Sequence, residues 1–353
     1  MRRALAGLAC AAALLAGGTA PAPAHVSGKA LLAERPALNI SAYGLFDAAG
    51  RPAAELVPFA PATPLFSDYA EKQRWFYLPP GTRIRYTPQG PLDFPVGAAL
   101  VKTFAYPADL RRPNEAVRKL ETRLLIHRPD GWVALAYVWN EDGTEAVLKR
   151  AGAWIETGFV DAKGARRSVD YRVPNANQCK ECHSRDGVMA PLGPSARNLN
   201  AAFAYPERTE NQLARLARLG LLEGAPSPQA APRTPVWDDP AETLEARTRG
   251  YLDANCGHCH SPTGIADNSG LNLNLEETRP HALGIGKAPV AAGRGSGGLA
   301  VSIAPGRPDE SILVHRMAST EPGVMMPELG RSLTHEEGLA LIRAWIAAMP
   351  GPD

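Results

Sequence analysis

Two five-residue strings, Cys179-Lys-Glu-Cys-His183 and Cys256-Gly-His-Cys-His260, constrain this chain more than any other feature, because together they use every cysteine except Cys10. Each string sets two thiols three positions apart and an imidazole directly after the second, so folding must bring three potential ligands to one spot, twice. Composition predicts on the order of 10⁻³ such strings per chain, and there are two.

Three chemistries use thiols at this spacing. A four-cysteine zinc site wants roughly 15–20 residues between its pairs, whereas 73 separate Cys182 from Cys256. A redox dithiol or a local disulfide leaves both histidines without a role, and the dithiol also needs a βαβ setting that the pattern lacks. Covalent haem uses every member: two cysteines form thioethers with the vinyl groups, and the adjacent histidine is the proximal iron ligand. Two covalently bound haem c groups are therefore expected, one at Cys179, Cys182 and His183, the other at Cys256, Cys259 and His260.

Met326 is the expected sixth ligand of the second iron. It lies 66 residues past His260 in Gly323-Val-Met-Met-Pro-Glu-Leu-Gly330, a loop ending in proline that can close over a distal face. Met325 is the runner-up, and core packing is the bland use of both. For the first iron the candidate is Met189, six residues past His183 and within reach of a tight loop, since six extended residues span about 20 Å. His127, His281, His315 or an open position are the alternatives.

Arg2 and Arg3 precede an apolar run, Ala4 to Leu15, that ends in Ala22-Pro-Ala24. This is the pattern of a cleaved signal peptide over residues 1–24, carrying Cys10 away and placing the mature protein in the periplasm. The run is too short to span a bilayer, so no stable membrane span is expected in the mature form. The mature chain of 329 residues carries 36 basic and 36 acidic side chains, which excludes the electrostatic footprint of a nucleic-acid binder. From Tyr251 onward acids exceed bases by eleven to seven, an asymmetry able to orient a redox partner protein, though scattered solvated charge reads the same way.

The fold class expected is multidomain: an N-terminal antiparallel all-β, sandwich-like domain and a mainly α C-terminal domain. Residues 25–174 form the β-rich part. There Leu120–His127 and Trp132–Trp139 alternate around an Arg-Pro-Asp-Gly turn, and Trp154–Val160 faces Ser168–Val173 around Asp161–Gly164. Residues 175–224 carry the first motif and a helix with a Thr209/Gln212 capping box and Gly220 at its end. Residues 225–238 are a proline-rich linker. Residues 239–353 form the second haem domain, opened by a helix starting at Asp239-Pro240 and closed by one with a Thr334/Glu337 box. On that last helix Leu339, Ile342, Trp345, Ile346 and Met349 share a face, and Gly250 and Tyr251 are expected against it.

Gly250-Tyr-Leu-Asp-Ala-Asn-Cys-Gly-His-Cys-His260, Pro305–Met317 and the Met-Pro loop resemble the haem domains of small cytochrome c. The whole mature chain resembles a largely uncharacterised family of exported dihaem c-type cytochromes. The matching segments are Pro64–Tyr69, Phe94–Gly97, Val101–Phe104, Tyr137–Asn140, Val173–His183, Pro191–Pro194 and Arg197–Asn200. The resemblance implies two haems and a cytochrome c-like C-terminal domain, and no physiological reaction.

The leading functional expectation is single-electron transfer between partner proteins, without a catalytic residue. A dihaem peroxidase-like enzyme with an open first haem is one alternative. Another is a carbohydrate- or protein-binding module with haems as the electron outlet, for which Trp75, Phe76, Tyr77, Trp132 and Trp139 are the aromatic candidates. No Ser/His/Asp grouping, carboxylate pair or phosphate-binding glycine loop suggests a separate catalytic site.

Overall fold

Strand-forming runs between Val57 and Leu148 build one six-stranded antiparallel sheet, whose strand Ala99–Tyr106 is buried on both faces. Its strands are β1 (Val57–Pro58), β2 (Glu71–Tyr77), β3 (Ala99–Tyr106), β4 (Arg118–Arg128), β5 (Gly131–Trp139) and β6 (Ala146–Leu148), neighbours in that order. The computed structural model describes residues 22–290 and 292–351. The expected signal segment lies outside them apart from residues 22–24, and so does Cys10.

Both predicted hairpins are present. Arg128 pairs with Gly131 across the β4–β5 turn, where Gly131 takes φ 119°. The second joins β7 (Ala153–Val160) to β8 (Arg166–Val173), and in its loop the Asp161 carboxylate accepts the N–H groups of Lys163 and Ala165. This ribbon packs on the sheet, with Tyr106 stacked on Phe159 at 5.4 Å. The arrangement differs from a sandwich of two full sheets. One face of the large sheet, with Trp75, Val101, Leu124 and Tyr137, is covered by the N-terminal stretch through Leu31, Tyr43 and Leu45. The other face is shared between the β7–β8 ribbon and segments around the first motif.

The aromatics considered as a sugar platform are used in packing. Trp75, Phe76, Tyr77 and Trp139 are buried, and Trp132 stacks on His127 at 4.6 Å.

The remaining regular elements named here are helices: α1 (Ala176–Cys182), α2 (Gln212–Arg218), α3 (Leu244–Leu252), α4 (Ile312–Ala318) and α5 (Glu336–Ala347). Among the described residues none is long and apolar enough to cross a membrane. Three predicted helix starts shift. Residues Thr209–Asn211 pair as a strand with Ala202–Ala204, so Asn211 caps α2 and Gln212 turns its amide to the backbone of Ala60. Asp239 closes a separate turn, and Thr243 caps α3. His335 stands at the α5 N-cap without capping it, its Nδ1 lying 2.9 Å from the Tyr251 hydroxyl, while Thr334 donates to the Ala318 carbonyl and Glu337 accepts the Tyr69 hydroxyl at 2.7 Å. At α2 and α5 tertiary partners take the expected capping residues, and at α3 a local turn takes Asp239. The proline-rich stretch 225–238 is irregular yet anchored, with Asn200 Nδ2 donating to the carbonyls of Pro228 and Ala231.

Helices α3 and α5 pack together as expected, with Tyr251, Leu252, Ile342, Trp345 and Ile346 in one core. The glycine that permits the approach is Gly338, where a Cβ would clash with the Tyr251 hydroxyl, whereas Gly250 lies against the Pro235 carbonyl. Trp345→Ala is expected to cost roughly 3–5 kcal/mol, and Gly338→Ala to destabilise through the clash. Thermal unfolding of both variants followed by near-UV circular dichroism checks this; an unchanged transition in Trp345→Ala would show that the α3–α5 core is mispacked.

Candidate functional site: one cavity shared by the two cysteine motifs

The first motif sits on a short helix that its own sequence starts. Asn175 accepts the Gln178 N–H at 2.9 Å while Gln178 reaches back to the Asn175 N–H at 3.0 Å, a full capping box. Cys179 and Cys182, three apart on α1, share a face, and His183 ends the helix. The second motif leaves α3 through a π turn, Asp253–Gly257, which carries Cys256; such turns cluster at functional positions.

The two motifs are locked to each other. Asp186 and Thr263, each three residues past its motif's histidine, are joined by an N–H···O bond of 3.3 Å. Arg197 grips the Asp253 carboxylate with one nitrogen at 2.8 and 2.9 Å and Glu276 with another at 2.5 Å. The β-rich part holds the second motif directly, since Asn255, the residue before Cys256, accepts the Phe66 N–H at 2.8 Å.

Between them lies one cavity of about 1110 Å³, bordered by both cysteine pairs and both histidines. That volume exceeds the roughly 300–1,000 Å³ usual for a single small ligand. All four cysteines are free thiols, and burial pushes Cys256 and Cys259 up to about 12 and shifts Cys179 and Cys182 in the same direction. Among the described residues no three His, Cys, Asp or Glu side chains converge as an all-protein metal cage.

Hydrogen bonding fixes both imidazoles in the same tautomer. The Ala190 carbonyl, which can only accept, lies 3.2 Å from His183 Nδ1. Ser269 donates its hydroxyl to the Ala266 carbonyl, so its oxygen accepts from His260 Nδ1 at 2.9 Å. Both Nδ1 atoms therefore carry the proton and both Nε2 atoms keep a bare lone pair. Burial first of all lowers His183 to about 3 and His260 to about 4, which keeps both rings neutral. Each motif thus offers two thiols able to form covalent bonds and one nitrogen ligand.

Of the predicted methionines, Met326 borders the cavity. Its N–H bonds the Arg316 carbonyl at 3.0 Å, and its carbonyl accepts from Arg331 at 2.8 Å. Met325 is not on the cavity wall. Met189 stands in a small hairpin, paired with Ser184, outside the residues that border the cavity, as are His127, His281 and His315.

Three features escaped the sequence reading. His258, a variable position inside the second motif, borders the cavity, and burial lowers it to about 4. Lys102 and Arg123 project from the sheet into the same space, and their field reaches His183; a lone cation in an apolar strand was the available signal for Lys102. Asp68 accepts the N–H groups of Ser332 and Leu333 at 2.7–2.8 Å, just beyond the Met326 loop. No protein-family model, curated protein or solved structure matches the chain.

Asp68→Asn keeps the shape but turns an amide donor toward one of those N–H groups. A loss of about 2 kcal/mol is expected, with faster hydrogen exchange at the Ser332 and Leu333 amides; unchanged exchange there would refute the role assigned to Asp68.

Proposed function

We propose that the chain is an exported, periplasmic c-type cytochrome with two covalent haems that relays single electrons to and from a redox partner protein. The reading includes membership of the exported dihaem family and a cytochrome c-like plan for the helical C-terminal part. One observation carries it: both Cys-x-x-Cys-His strings open on a single cavity, each presenting two thiols and an imidazole with bare Nε2.

The donor set fits this group. A macrocycle brings its own four nitrogens, so the protein needs only axial ligands and thioether anchors, which is the set present where an all-protein cage is not. Cys179 and Cys182 would hold one haem and Cys256 and Cys259 the other, with His183 and His260 as proximal ligands. Haem iron held by histidine and methionine cycles between ferrous and ferric states and so carries one electron at a time. Ala190 and Ser269 orient the two imidazoles through their Nδ1 protons and make Nε2 more basic. Met326 is the sixth ligand proposed for the second iron, on a loop pinned by Arg316 and Arg331.

A specific placement favours peroxidase-like chemistry as the second reading: Met189 stands off the cavity wall, while His183 lies in the field of Lys102 and His258. An open coordination position at the first iron would permit small-oxidant turnover, and an occupied one would block it.

Intact mass of the purified mature protein is expected to exceed that of the polypeptide by two haems, with Cys179→Ala or Cys256→Ala each disturbing one attachment. A protein carrying zinc, or no haem, would sink the proposal. Met326→Ala should abolish a weak sulfur-to-iron band at the red end of the oxidised spectrum and lower the potential of one haem only. Paramagnetic resonance separates the two readings: a wholly low-spin protein inert to peroxide supports electron transfer, and a high-spin fraction with rapid peroxide reduction supports the enzyme.

A further inference from the structure

Arg74, Lys102 and Arg123 stand directly opposite one another on three adjacent strands, β2, β3 and β4, and all three border the cavity. Like charges facing each other across a sheet repel, and here all three are half-buried on the cavity floor. Glu121 answers only one of them, binding Arg123 at 2.7 and 2.9 Å while also accepting the Tyr171 hydroxyl at 2.7 Å. Arg74 donates to the Lys72 carbonyl at 3.1 Å and has no carboxylate partner among the described residues. Lys102 has neither a hydrogen bond nor an ion pair there, only the Phe104 ring 5.0 Å from its ammonium.

The acids elsewhere on the cavity wall are engaged. Asp253 and Glu276 are held by Arg197, Glu277 by Arg279, and Glu328 by Arg316; Asp68 is held by Ser332 and Leu333. Glu181 is exposed. The cation row is therefore short of negative charge. A charge partly withdrawn from water is stabilised by a counter-charge beside it.

We infer that the Arg74–Lys102–Arg123 row is an anion seat for a carboxylate or small oxyanion lodged in the cavity. Two sources share that chemistry: the carboxylate side groups of a haem, which rests on the two-haem reading, and a free oxyanion drawn in from solution, which does not. Either one lies against an ammonium with free donors and a guanidinium fork, and either one lifts the repulsion along the row.

The test uses the holoprotein as purified, its haem content first counted by intact mass so that failure of the two-haem reading shows separately. Lys102→Met keeps the side chain's length and removes only the charge; Lys102→Arg retains it. Each is melted in sodium chloride, then with added sulfate or acetate at matched ionic strength. With haem carboxylates on the row, Lys102→Met melts lower than wild type in chloride alone, Lys102→Arg recovers the loss, and neither sulfate nor acetate has an effect. With a free oxyanion, wild type shows a saturable rise in melting temperature with sulfate or acetate, and Lys102→Met responds with roughly tenfold weaker affinity. The inference is overturned if Lys102→Met melts at or above wild type, as simple relief of repulsion dictates, and wild type shows no saturable response. Should Lys102→Met yield no folded protein, Arg74→Met is put through the same measurements.

Discussion

The Asp68 carboxylate, buried at 3% exposure, accepts the N–H groups of Ser332 and Leu333 and the Ser332 hydroxyl, and through these bonds the β sheet and the Met326 loop keep a fixed separation. Burial raises its pKa, and the bonds from residues 332 and 333 oppose that shift. Asp68 and Tyr69 both take positive φ, at 50° and 61°, a costly conformation for residues with a side chain. The neighbours impose it: the Tyr106 hydroxyl donates to the Asp68 carbonyl at 2.7 Å, and Phe66 stacks on His335 at 4.2 Å. A short stretch of the β-rich part thus positions a loop more than 250 residues away in sequence.

The cavity belongs to neither half of the protein. The first motif supplies one wall, the second motif and the Met326 loop another, and the sheet the floor. The joints between these parts are charged: Arg197 with Asp253 and Glu276 between the two motifs, and Asp68 with the N–H groups of Ser332 and Leu333 between the β-rich part and the Met326 loop. Buried ion pairs add little net stability against an apolar alternative, but breaking one member is costly. Their contribution here is to geometry. Arg197 engages Asp253 and Glu276 together, and so ties the segment after the first motif to the second.

Legibility in the sequence followed the range of the forces. The hairpins at Arg128–Gly131 and Asp161–Gly164 were readable because turn chemistry is local. The buried face of α5 was readable because helical periodicity is local as well. The helix starts at Thr209 and Thr334 were misplaced where strand pairing with Ala202–Ala204 or a distant group, such as the Tyr69 hydroxyl on Glu337, took the expected capping residue, and Asp239 was drawn into a turn with Ala241. Both thiol pairs and their histidines were evident from spacing alone. Their convergence on one cavity was not, since Asp186 to Thr263 is a long-range backbone contact without a side-chain signature. His258 was hidden for another reason: within a motif it reads as a spacer, and only the fold aims it into the shared space.

The sheet floor also makes the two motifs unequal. An electron added beside His183 meets the field of Lys102, which has no carboxylate partner among the described residues, whereas the cation whose field reaches His260, Arg316, is offset by Glu328 at 3.4 Å. Coulomb energies grow as the dielectric falls, so on the partly buried cavity floor the first position favours added negative charge more strongly than the second. An anion seated on the row cancels that advantage. On the two-haem reading, occupancy of the row therefore acts beside the Met326 ligand in biasing the direction in which an electron moves between the sites. A permanent occupant, such as a haem carboxylate, makes that contribution constant, and an exchangeable one makes it depend on the anion concentration outside.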